Sequence, residues 1–209
     1  MPDHALAERH LRKVDPVMRD LIRQLGPCTL ARTRGWTPYH ALVRAVAHQQ
    51  LNGAVAERIL ARLVALTPGP DYPTPADLLA LPEGALRQVG FSTAKALALQ
   101  DIAAKTLAGV IPTPRALARL DDEEIVERLT EVRGVGRWTA EILLIRAGRP
   151  DVLPVDDFGL RNGFRAAYRK RQLPAPRELG AFAERWRPFR TVAAWYLWRA
   201  ADRARAQKR

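Results

Sequence analysis

The sequence is poor in cysteine, in acid relative to base, and in long apolar runs. The single cysteine, Cys28, rules out a disulfide within the chain and any four-cysteine zinc or iron–sulfur centre. No apolar stretch approaches the roughly 18–20 residues that span a bilayer, so no membrane partner is expected. Residues 1–12 carry His4, Glu8, Arg9 and Arg12 and hold no apolar signal-peptide core, and a cytoplasmic protein is expected. His4, His10, His40 and His48 form no metal-ligand spacing of the His-Glu-x-x-His kind and read as surface or structural residues. No fixed-period repeat, no low-complexity block and no convincing series of alternating strands is present.

What is present points to a helical, cation-rich globule. Its 209 residues and 47% hydrophobic content suit one domain, or two small lobes sharing a core. Lys and Arg number 34 against 22 Asp and Glu, a net charge of +12. That excess implies a polyanionic partner, usually nucleic acid; an Arg-rich, solvated surface is the alternative. Alanine occupies 34 positions, which favours helix over strand. Asp15-Pro16, Thr37-Pro38, Thr74-Pro75 and Thr113-Pro114 each set a capping side chain before a proline, whose missing N–H has no intrahelical partner at a helix start. Asn52 and Ser92 read as further caps. The expected helices lie near 4–13, 16–25, 38–50, 53–66, 75–80, 84–88, 92–109, 114–118, 122–130, 137–147, 157–169, 176–186 and 189–205. Residues 67–73 read as a stiff connector, 148–154 as a turn-rich loop, and 203–209 as a frayed basic end.

The most informative stretch is Leu129-Thr130-Glu131-Val132-Arg133-Gly134-Val135-Gly136-Arg137-Trp138-Thr139-Ala140. One helix stops, a Gly-x-Gly turn follows, and a second helix starts. Glycine permits positive φ and close backbone approach. The first N–H groups of the second helix have no intrahelical partner and suit a phosphate, and Arg137 would add charge there. Helix on both sides excludes a dinucleotide-binding turn, which needs a preceding strand. About 20 residues later comes Leu153-Pro154-Val155-Asp156-Asp157-Phe158-Gly159-Leu160. An isolated Asp-Asp pair at a helix start reads most simply as a cap plus a dipole-compensating acid.

Taken together, these segments resemble the helix-hairpin-helix DNA glycosylase superfamily: a hairpin, a Gly/Pro-rich loop, then a catalytic aspartate. Ala47-His48-Gln49-Gln50-Leu51-Asn52 resembles the family's DNA-probing helix end, and Gly90-Phe91-Ser92-Thr93-Ala94-Lys95-Ala96 its Gly-Leu-Ser-x-x-Lys-Ala segment. Ala183-Glu184-Arg185-Trp186-Arg187-Pro188-Phe189-Arg190, with Trp195-Tyr196-Leu197-Trp198, is similar to the C-terminal end of the 3-methyladenine DNA glycosylase II (AlkA) type. The likeness covers roughly residues 10–202.

The resemblance implies an all-α, two-lobed fold with the active cleft between lobes. One lobe would be 38–147, with its hairpin at 122–147; the other would join 1–37 to 148–209. The small β-rich N-terminal domain of fuller relatives would be missing. Asp157 is the implied catalytic carboxylate, because Asp157-Phe158-Gly159-Leu160 fits the family spacing of an aspartate, two residues and an aliphatic; Asp156 would be a cap or a supporting group. Trp138 and Trp198, with Phe158 and Tyr39 behind them, would stack on an electron-poor alkylated base, whereas Trp186 and Trp195 read as core. Gln49, Gln50 or Leu51 would enter the gap left by the flipped base, and the resemblance leaves open which. Gly134, Gly136, Arg137 and Lys95 would contact DNA. The backbone carbonyls of Thr130, Val132 and Val135 would hold a sodium or potassium ion.

Two departures refine the expectation. Trp138 stands where strand-cutting members carry a Schiff-base lysine, so a monofunctional enzyme is expected. One cysteine excludes the iron–sulfur branch, and no other cofactor is required. The expected partner is double-stranded DNA carrying damaged bases, bound by a nucleoid-associated monomer. The competing readings are a glycosylase for other damaged or mismatched bases and a non-catalytic helix-hairpin-helix DNA-binding protein.

Overall fold

Asp15, Thr37, Asn52, Thr74, Ser92 and Thr113 each accept a backbone N–H through the side chain and start a helix where their cap chemistry directs. The computed structural model describes residues 3–31, 35, 37–67 and 72–207. These form helices α1 (His4–Val14), α2 (Pro16–Leu25), α3 (Pro38–His48), α4 (Gly53–Val64), α5 (Pro75–Ala80), α6 (Ala85–Gln88) and α7 (Thr93–Leu107). Then come α8 (Pro114–Leu117), α9 (Asp122–Thr130), α10 (Arg137–Ala147), α11 (Phe158–Ala167) and α12 (Pro176–Ala183). A 3-10 turn (Glu184–Trp186) leads into α13 (Arg190–Ala206). No strand occurs among the described residues, and no helix there is long and apolar enough to cross a membrane.

Helix ends differ from the sequence expectation for local reasons. α3 stops at His48 because Gln49 leaves helical geometry and Gln50 turns left-handed at φ 55°. α11 starts at Phe158 because Asp157 is its cap, and it ends before Arg169, also left-handed at φ 52°. The basic end is helical rather than frayed as far as Ala206, and Arg203 bonds Gln24 at 3.1 Å. Of the 67–73 connector, residues 68–71 lie outside the described ones.

The chain divides into two compact units: Met1–Thr33 with Leu144–Arg209, and Arg34–Leu143. The core of the first gathers Leu11, Met18, Ile22, Leu160, Phe164, Leu179, Trp186, Tyr196 and Leu197. Its polar centre is Asp15, 2% exposed. Oδ1 caps α2 through Val17 and Met18, while Oδ2 accepts the Tyr168 hydroxyl at 2.6 Å and the Trp186 indole N–H at 2.9 Å. A buried carboxylate needs such donors to offset its lost hydration. Trp186 is fully buried, in line with its reading as core. In the second unit α7 packs on α3 and α5, burying Leu42, Val46, Leu78, Leu99 and Ile102.

α11 and α13 meet at a glycine. A Cβ on Gly163 would lie 1.9 Å from the Leu197 carbonyl oxygen, a backbone atom. Glycine costs about 1 kcal/mol in a helix relative to alanine, so its position is explained by this close contact and not by propensity. Gly163→Ala is expected to lower stability by about 3 kcal/mol through forced separation of the two helices, read as a drop in the denaturant midpoint. An unchanged midpoint would show that α13 yields freely.

Cys28 is buried, and desolvation pushes its thiol up to about 11. Since only the thiolate is nucleophilic, the native thiol should react with a disulfide reagent at pH 8 at least about 100-fold more slowly than the urea-unfolded one. Equal rates would contradict the buried placement.

Candidate active site

In the first unit, the loop between α10 and α11 is pinned to the start of α13. Arg190 binds the Asp151 carboxylate at 2.9 and 3.0 Å, and Arg187 joins it at 2.7 Å. Thr191 donates its hydroxyl to Arg149 O at 2.7 Å and accepts Val152 N–H at 2.9 Å. After Pro154 the chain turns, Asp157 N–H donating to Pro154 O at 2.9 Å, and α11 begins. Sequence reasoning missed the Asp151 and Thr191 contacts, because partners 36 to 42 residues apart leave no local pattern.

Asp157 caps α11: Oδ1 accepts Leu160 N–H at 2.5 Å. The same oxygen accepts the Trp198 indole N–H at 2.8 Å. The structure thus brings Asp157 and Trp198 together and fixes the carboxylate by two donors. The cap of α11 is Asp157, and Asp156, read from the sequence as a cap or a supporting group, is exposed. Gly159 makes room here: a Cβ would sit 3.1 Å from Asp157 Oδ1 and 3.5 Å from the Trp198 ring. Residues 159 and 163 lie one turn apart on the α11 face toward α13. That glycine pair is a signal the sequence carries and the motif reading passed over. Phe158 stands beside Asp157 and is 66% exposed.

The second unit holds the remaining candidates. α9 and α10 are joined by a turn in which Val135 N–H donates to Val132 O at 3.0 Å and Gly134 takes φ 75°. Trp138, in the first turn of α10, is 45% exposed. Tyr39 is different from its sequence reading. It is 4% exposed, its hydroxyl donates to Pro73 O at 2.8 Å, and burial raises its pKa, so its ring belongs to the core and is not open for stacking.

Arg137 and Lys95, the expected DNA contacts, make bonds within the protein. Arg137 forms a fork to Glu123 on α9 at 2.7 and 2.6 Å and reaches Glu141 at 3.2 Å. Its charge is matched locally, and the pairing draws the Glu123 pKa down. Lys95 donates its ammonium to Ala47 O at 2.9 Å and Gln49 O at 2.7 Å, serving the C-terminal carbonyls of α3, and its desolvation lowers its pKa. Gln49 in turn donates from Nε2 to Gly134 O at 3.0 Å. The Gln loop and the hairpin turn are therefore hydrogen-bonded to each other. Gln50 and Leu51 are exposed beside that contact. Among the described residues no cluster of histidine, cysteine, aspartate or glutamate could hold a metal.

Residues 43–188 match the HhH-GPD superfamily of base excision DNA repair proteins. DNA-3-methyladenine glycosylase 1 of Schizosaccharomyces pombe is 39% identical over 200 residues, spanning 95% of this chain and 88% of that protein. The S. pombe 3-methyladenine DNA glycosylase solved in complex with abasic DNA has a TM-score of 0.80 at 39% identity, covering 92% of this chain and 94% of that one. A DNA-3-methyladenine glycosidase from Bacillus halodurans superposes with a TM-score of 0.85 at 29% identity, covering 95% and 89% of the two chains.

The φ of 55° at Gln50 has a cost that can be measured. A left-handed non-glycine residue loses about 1–2 kcal/mol, and glycine gives back roughly 0.5–1 kcal/mol in chain entropy. Gln50→Gly should therefore raise stability by roughly 0.5 kcal/mol in chemical denaturation. A clear loss would mean that the Gln50 side chain itself holds the loop.

Proposed function

This chain belongs to the HhH-GPD superfamily of base excision DNA repair proteins, and from that premise we propose that it is a monofunctional DNA glycosylase. It removes alkylated, cationic purines such as 3-methyladenine from duplex DNA and leaves an abasic site. The observation that carries the reading is the Asp157 carboxylate, held at the start of α11 by the Leu160 N–H and the Trp198 indole. The S. pombe relative bound to abasic DNA supports it, since an abasic duplex is what such a reaction leaves.

The chemistry follows from the residues. Chemistry on a base within a duplex requires rotating it out, at a cost of roughly a few kcal/mol. Gln50 or Leu51, exposed at the end of the Gln loop, fills the gap. The flipped cationic base stacks on Trp198 and Phe158 beside Asp157, an aromatic contact worth about 1–3 kcal/mol per base. The bond between C1′ and the base nitrogen breaks with its electron pair going to the base, which neutralises the base's charge. The sugar gains oxocarbenium character, which Asp157 stabilises electrostatically while orienting the water that adds to C1′ and releases a proton to solvent. A leaving group already positive needs no strong acid catalyst, and none is required of this chain. Trp138 cannot form a Schiff base, so the strand stays intact. The N–H groups opening α10 take a backbone phosphate. The carbonyls of Thr130, Val132 and Val135 are hard oxygen donors of the kind that would hold a sodium or potassium ion and brace the turn, with Val132 O also accepting the Val135 N–H. The protein acts as a monomer in the cytoplasm.

Asn caps a helix as well as Asp and can still accept the Trp198 N–H. Asp157→Asn should therefore fold normally and bind abasic DNA. Its base release from duplexes carrying one defined alkylated purine should fall at least about 100-fold. Release at the wild-type rate would refute the role of Asp157, and stoichiometric binding by the wild type without turnover would refute the glycosylase. A strand nick appearing as fast as base release, without alkali, would refute the monofunctional reading. Trp198→Phe keeps an aromatic face but loses the indole donor, and a roughly 10-fold fall in release at saturating protein is expected.

A further inference from the structure

Two loops of the second unit, 49–52 and 131–136, would meet DNA under the reading above, and both are tied to one face of α7. In the first turn of that helix Lys95 donates to Ala47 O at 2.9 Å and Gln49 O at 2.7 Å. Further along, Asp101 Oδ2 accepts Arg133 N–H at 2.7 Å, and Lys105 donates to Glu131 O while pairing with Asp101 at 3.5 Å. Between them Ala98 lies 3.5 Å from where a Cβ on Gly134 would stand. Positions 95, 98, 101 and 105 follow helical spacing and share a face. The strip is cross-tied at its DNA end by the bond from Gln49 to Gly134 O, 3.0 Å.

Each contact serves the loop's backbone and not its side chains. Ala47 O is among the last carbonyls of α3, which have no partner within the helix and lie at the negative end of its dipole. An ammonium donating there fixes where α3 ends and where Gln50 is forced left-handed. Asp101 and Lys105 grip the backbone of the hairpin turn in the same way, Asp101 as acceptor and Lys105 as donor. The 15-residue α7 keeps the two grips at a set spacing.

We propose that this face of α7 is a brace that sets the register between the Gln loop and the hairpin, with Lys95 a positioning residue for the side chain that enters the duplex and not a phosphate contact. The proposal rests on the glycosylase reading for its functional half only.

Lys95→Met keeps the aliphatic stem and removes the donors. Three readouts on the full chain separate the possibilities: amide hydrogen exchange, single-turnover base release from an alkylated duplex at saturating protein, and the salt dependence of binding to a duplex with a tetrahydrofuran abasic analogue. The expected result is exchange at least about 10-fold faster in both 49–52 and 131–135, release slowed at least about 10-fold, and an unchanged salt slope. A slope smaller in magnitude by about 0.9 identifies a lost phosphate contact and overturns the proposal. Unchanged exchange, or faster exchange confined to 49–52, overturns the brace. Faster exchange in both loops with unchanged release overturns the positioning role. Lys95→Gln, which keeps an amide donor, should give intermediate values and serves if Lys95→Met does not fold. Exchange and salt slope need no catalysis, so a wild type without base release would sink the glycosylase while the brace is still measured.

Discussion

The contact between α11 and α13 at Gly163 is the constraint on which the site in the first unit depends. With the Leu197 carbonyl 1.9 Å from where a Cβ would stand, no other residue lets the two backbones approach so closely. That approach puts Trp198, the residue after Leu197, against the start of α11. There its indole meets Asp157, and Gly159 leaves space for both. A helix cap would ordinarily point only at its own helix. Here one carboxylate oxygen both ends the chain's entry loop and takes a donor from a helix 41 residues later. Cap and candidate catalyst are the same group, so the rigidity of α11 becomes the rigidity of the site.

Charge operates differently at short and long range. The net +12 is a property of the whole chain and favours a polyanion. Individual cations in the motifs are committed. Arg137 is forked to Glu123, Arg190 to Asp151, and Lys95 to two carbonyls. These bonds hold backbone segments at set places. A net charge of this kind acts at long range, favouring salt-dependent affinity for a polyanion and not base choice.

Helix positions were legible because the signals are local. Asp15, Thr37, Asn52, Thr74, Ser92 and Thr113 cap within three residues of themselves, and their chemistry does not depend on the rest of the fold. The ends of α3 and α11 were misjudged by about two residues, where Gln50 and Arg169 adopt left-handed backbone that the surroundings impose. The roles of Lys95 and Tyr39 were read by likeness of motif. Both side chains proved to be satisfied within the protein, by α3 carbonyls and by Pro73 O.

The sequence by itself determined the helical class, the cap positions, the lack of four cysteines to hold an iron–sulfur cluster, and a hairpin followed by an aspartate at a helix start. Each of these rests on residues near one another in the chain or on a simple count. Only the tertiary structure decided which partners those residues have. It set Trp198 on Asp157, Gln49 on Gly134, and Arg133 on Asp101, contacts separated by 41, 85 and 32 positions. Such pairs arise from backbone approach and buried hydrogen-bond demand across distant elements. No periodicity or cap rule encodes them, so they are readable only once the chain has folded.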